Sequence, residues 1–148
     1  MKPDEIRIAS AYVLPDRVIL HAQARTTHGA WIPCGPLRSL PPEPSAEVAT
    51  ALMHALTESR QGLPHPADLA AVMEPLLEAS GARKWPDFLK VARCLGVERR
   101  GDELRVVPTR NLGEEGGFEP LVTEAVKVDR PEAGALARAL ETALGRCS

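Results

Sequence analysis

With 148 residues, a net charge of −2, and 44% apolar and 26% charged content, the chain has the size and composition of one soluble globular domain, expected to span residues 1–148. Its basic residues are spread along the sequence, which argues against direct nucleic-acid binding, and nowhere are there about eighteen consecutive apolar residues to span a membrane. Fourteen prolines and only five aromatic residues imply many element breaks around an aliphatic core.

In chain order, the opening "MKPDEIRIAS" bears charges and no apolar run, so no secretory signal is expected and the cytoplasm is the expected compartment. "IRIASAYVLPDRVILHAQART" reads as two strands about a Pro15-Asp16 turn. In the second strand Val18, Leu20, Ala22 and Ala24 take the apolar face, leaving Arg17, His21, Gln23 and Arg25 on a solvent face. "GAWIPC" supplies a short third strand, and "GPLRSLPPEP" a proline-punctuated connection. Ser45 then caps a helix, "AEVATALMHALTESR", with Val48, Leu52, Ala55 and Leu56 on one stripe.

A break follows over residues 61–67, then a helical "DLAAVMEPLLEASG" that Pro75 should kink or split and Gly81 should end. "WPDFLKVARCLG" reads as a further helix, with Phe88, Ala92 and Leu95 on one face and Gly96 as its stop. "ELRVVPT" and "FEPLVTEAVKV" read as strands either side of a Gly-rich loop, and Asp129 with Glu132 form a capping pattern for a last helix, "PEAGALARALETALGR". The order predicts an α+β domain with a mostly antiparallel sheet and helices packed on it. "ALMHAL" at 51–56 and "ALARAL" at 135–140 repeat Ala-Leu-x-x-Ala-Leu, as if two strand-plus-helix halves flanked the central helices.

Chemistry-bearing residues are sparse. Cys34, Cys94 and Cys147 are odd in number and far apart, which suits reduced thiols better than a disulfide framework or paired zinc ligands. His28 and Cys34 flank Trp31 and could act as base and nucleophile, but nothing nearby specifies an orienting group or oxyanion donor. The plainer assignment is a turn histidine and a small buried cysteine. Trp85 and Phe88 sit at core spacing rather than marking a cofactor pocket, and "NLGEEGGFE" is no phosphate-binding glycine loop. No catalytic residue, metal or cofactor is therefore expected.

Charge gives one lead: residues 102–148 carry nine acidic and six basic side chains. Glu114 and Glu115 on the Gly-rich loop, with Glu119 and Glu124 beyond it, could meet a basic partner. A solvated hairpin tip is the simpler alternative.

Several stretches resemble a known group: "PSAEVATALMHALTESR", the central "WPDFLKVARCLGV" followed by "DELRVVPT", the Gly-Phe before the last strand, and "PEAGALARALETALGRC". They are similar to the CdiI-type immunity proteins of contact-dependent growth inhibition, first described as a bacterial domain of unknown function. The resemblance implies a non-catalytic cytoplasmic protein that binds and neutralises a toxin domain, commonly a nuclease, from a neighbouring cell. Glu114, Glu115, Glu119 and Glu124 would then approach the toxin's basic cleft. That placement comes from the charge count, because the family supplies no catalytic residues to carry over. A small-molecule or subunit-interaction module is the competing reading, and a small Cys/His enzyme a third.

Overall fold

The computed structural model describes residues 5–42 and 45–148; the last part of the proline-punctuated connection, residues 43–44, lies outside them. The strands are β1 (Ile6–Val13), β2 (Val18–Thr26), β3 (Trp31–Leu40), β4 (Arg60–Leu63), β5 (Arg93–Arg100), β6 (Glu103–Asn111), β7 (Phe118–Pro120) and β8 (Val126–Val128). The helices are α1 (Ala46–Glu58), α2 (Leu69–Ser80), α3 (Trp85–Val91) and α4 (Ala133–Leu144). They form one α+β domain whose sheet runs β3-β2-β1-β5-β6-β7, with β4 added to β2 and β8 to β6. Every pairing is antiparallel except β2 with β4.

The order is symmetric about the β1–β5 pairing: each half is a three-strand meander running outward from the centre, followed by a helix. The repeated Ala-Leu-x-x-Ala-Leu marks that symmetry. Leu52, Ala55 and Leu56 of α1 and Leu136, Ala139 and Leu140 of α4 are buried at equivalent steps of the repeat, in one core against the same face of the sheet. Leu20, Ala22, Leu95, Val97, Leu104 and Val106 supply the strand side of that core. The sequence-central helices α2 and α3 cover the opposite face, where Tyr12, Leu14, Ile19, Leu76, Phe88, Ala92 and Cys94 pack.

Local signals explain most boundaries. The Ser45 hydroxyl accepts from the Val48 N–H (3.3 Å) to start α1, and Asp68 accepts from Ala71 (3.2 Å) to start α2. Gly81 ends α2 at φ 79°, a conformation that favours glycine. Pro75 does not split that helix, which runs unbroken to Ser80 and is fastened to the β1–β2 turn by Arg17, whose Nη1 donates to the Ala79 carbonyl (2.9 Å).

Five expectations need correction. The helix starting at Trp85 ends at Val91, not Gly96, because residues 93–100 form a central strand paired on both sides. Leu95 consequently lies across the sheet from Phe88. The third strand runs on to Leu40, and the expected break at 61–67 begins with the parallel strand β4. "FEPLVTEAVKV" is two three-residue strands separated by a 3-10 turn at Val122–Glu124. Finally, Glu132 rather than Asp129 holds the N-cap of α4, and it makes no side-chain cap bond.

Candidate functional site

Where α2 and α3 stand off from the sheet they leave an open cleft of about 790 Å³. Its floor is low because small side chains meet across the strands: Ser10 of β1 is the register partner of Gly96 of β5, which in turn faces Val107 of β6. A glycine inside a strand often marks a place where something else approaches closely. One wall is Met73 and Leu76 of α2 with Trp85 and Leu89 of α3; the other is the β6–β7 loop and Phe118.

All five aromatic residues of the chain, Tyr12, Trp31, Trp85, Phe88 and Phe118, line this cleft. Four of them interlock. The Phe88 ring lies 5.3 Å from Trp85, 5.7 Å from Tyr12 and 6.5 Å from Phe118, in tilted and edge-on geometries that such rings favour. Phe88 is fully buried and forms the base of the cluster, while Trp85 and Phe118 are only half-buried. The expectation that Trp85 and Phe88 are core residues therefore holds for Phe88, whereas Trp85 also faces the cleft.

The polar groups of the floor are mostly committed. Gln23 donates to the Ser10 hydroxyl, and Thr109 donates to the Cys94 carbonyl (2.7 Å). Burial, with a smaller contribution from Cys147, pushes the Cys94 thiol up to about 12, so it is a neutral thiol rather than a nucleophile. Burial also raises Tyr12 well above an ordinary phenol.

His21 corrects a further expectation. It lies on the face predicted to be wet, yet it is completely buried, because α2 and α3 cover that side of β2 as well. Its Nδ1 sits 2.8 Å from the Ala22 carbonyl oxygen, which can only accept, so Nδ1 carries the proton; Nε2 has no hydrogen-bond partner among the described residues. Burial lowers its pKa from the ordinary 6.5. The folded chain thus binds this proton less readily than the unfolded chain does. Stability should be unaffected by His21 above about pH 6.5 and fall as the pH drops below it. Urea midpoints measured from about pH 7.5 to 5 should decline more steeply for the wild type than for His21→Leu; parallel curves would show that the ring does not control acid stability.

The sequence candidates fare differently. The Cys34 thiol points at the Glu58 carbonyl (3.6 Å) and burial raises its pKa. The exposed His28 stacks on His65, with ring centroids 4.3 Å apart. Each thus has a different neighbour, and the raised thiol pKa opposes thiolate activation.

The four glutamates all fall along the β7–β8 edge of the sheet. Glu114 and Glu115 occupy the β6–β7 hairpin tip, where Leu112 and Gly117 close the loop through a 2.8 Å backbone bond. Glu119 lies on β7, 3.8 Å from Arg110, and Glu124 in the 3-10 turn. All four are exposed, and Glu114 reaches the rim of the cleft. Among the described residues no three His, Cys, Asp or Glu cluster as metal ligands, and no helix is long and apolar enough to cross a membrane.

Sequence reasoning missed the cleft itself. Its one legible trace was the scarcity of aromatic residues, but their convergence from positions 12 to 118 depends on the strand order.

No family model and no curated protein matches this sequence. Solved structures do. A protein of unknown function from Neisseria meningitidis matches with a TM-score of 0.78 at 14% identity, over 100% of this chain and 99% of the other. A chain of the CdiA-CT/CdiI toxin and immunity complex from Yersinia pseudotuberculosis matches at 0.77 with 15% identity, over 97% and 98%. The shared feature is the fold. It extends over nearly the entire length of all three chains.

Proposed function

We propose that this chain is a cytoplasmic immunity protein that binds and neutralises a cognate toxin domain, a nuclease, of a contact-dependent growth inhibition system, and that it does so without catalysis. The observation that carries the proposal is the convergence of three part-exposed aromatic side chains, Trp31, Trp85 and Phe118, on one open cleft above the buried Tyr12 and Phe88. Aromatic residues concentrated on solvent-facing concave surface are the usual anchors of a protein interface. Full-length likeness of fold to a chain of a toxin and immunity complex supports the same reading. The cleft would seat an apolar element of the toxin, while Glu114, Glu115, Glu119 and Glu124 approach its basic substrate groove.

The test is co-expression with the C-terminal domain of whichever protein is encoded next to this chain, reading survival and complex formation. Rescue with a one-to-one complex is the expected result; killing without a complex would refute the proposal for that pair. The size of the cleft favours one other reading, a small-molecule module, since ligand sites commonly span roughly 300–1,000 Å³. A ligand-dependent rise in melting temperature in the absence of any toxin would favour that module.

A further inference from the structure

The cleft does not end at its apolar walls. Ile8, Trp31 and Glu98 line both it and a second hollow of about 670 Å³ on the same sheet face, so the two form one trough. The second hollow is lined by four cations, Arg25 of β2, Arg100 of β5, Arg105 of β6 and Lys127 of β8, against two carboxylates, Glu98 and Glu103. Arg105 is held by Glu98 at 2.7 Å. Arg25, Arg100 and Lys127 are exposed and have no salt-bridge partner among the described residues. The trough therefore changes character along its length, from aromatic and aliphatic to basic, with Trp31 at the junction.

Resting on the immunity reading, we propose that the toxin segment seated in this trough is acidic beside its apolar anchor: a large apolar side chain enters the aromatic end, and adjacent carboxylates face Arg25, Arg100 and Lys127. This is the opposite sign to the contact proposed for the β7–β8 edge, so the toxin surface is dipolar across the interface. Arginine forks suit carboxylates in bidentate geometry, and unpaired cations at an interface speed the encounter with an acidic partner. A nucleic-acid strand fits less well, because three unpaired cations confined to one hollow do not make the continuous basic track that successive phosphates need.

The test uses the full chain and a fluorescein-labelled peptide carrying Trp-Leu followed by four acidic residues, read by anisotropy. Controls are the same peptide with four lysines and a labelled twelve-nucleotide thymidine strand. The acidic peptide is expected to bind, to weaken as salt rises, and to lose about tenfold in affinity in the Arg25→Glu/Arg100→Glu chain. The milder Arg25→Gln/Arg100→Gln chain, which guards against misfolding, should lose about threefold. Arg138→Glu on α4 across the sheet, which matches the total charge change of the double glutamine chain, should lose nothing. Equal or tighter binding of the lysine peptide or the thymidine strand, or no loss in either double variant, would overturn the inference. Rescue by the wild type without any preference for acidic peptide removes this inference and leaves the immunity reading standing. Failure to rescue alongside a clear acidic preference removes the immunity reading and leaves a binder of acidic, apolar-tipped segments.

Discussion

Phe88→Ala should cost about 3–5 kcal/mol of stability, the usual range for truncating a buried phenylalanine. Phe88 is 1% exposed and is the ring on which Tyr12, Trp85 and Phe118 converge. The surrounding side chains come from β1, α3 and β7, elements fixed by their own hydrogen bonds, so they cannot collapse freely into the space left behind. For a domain of about this size the cost corresponds to a fall in melting temperature of about 6–20 °C. Urea or thermal unfolding measures it. A loss below about 1 kcal/mol would mean that the aromatic cluster is not the second core described above.

Gly96→Leu should separate binding from folding. A Cβ at Gly96 would meet nothing closer than the Val107 carbonyl oxygen at 3.9 Å, an ordinary contact, and the backbone there is not in the left-handed region. Glycine is also a poor strand residue, so stability should hold or rise by up to about 1 kcal/mol. The added isobutyl group nonetheless fills the floor of the cleft. If the toxin seats an apolar element there, affinity should drop about 100-fold, close to 2.7 kcal/mol, and protection in co-expression should fail. An unchanged complex would move the interface to another face.

The two variants interrogate one cleft in different ways. Phe88 supports the aromatic residues from below, whereas Gly96 keeps space open above the sheet. A partner that depends on the cleft is sensitive to both, but only Phe88→Ala should reach it through loss of the fold.

Some of this was legible along the chain, because it depends on neighbours in sequence. Ser45 and Gly81 act through backbone groups a few residues away, the β1–β2 hairpin follows from its turn and alternation, and the Ala-Leu-x-x-Ala-Leu repeat marked the buried steps of α1 and α4. The α+β class followed from the order of those elements. The four glutamates could be counted from sequence, and the strand pairing set them along one edge.

Tertiary structure decided the rest. Residues 93–100 carry apolar side chains that suit either a helix or a strand, and pairing with β1 and β6 on both sides resolved the choice. His21 alternates with apolar neighbours as a solvent-facing residue would, and only the return of α2 and α3 over the second face buries it. The trough unites residues from seven strands, two helices and the β6–β7 loop; its aromatic end and its basic end share a face because β1 and β5 pair across the middle of the chain. Periodicity reports which side chains share a face of one element. It carries no information about which other element will cover that face, and both the cleft and the buried histidine depend on that.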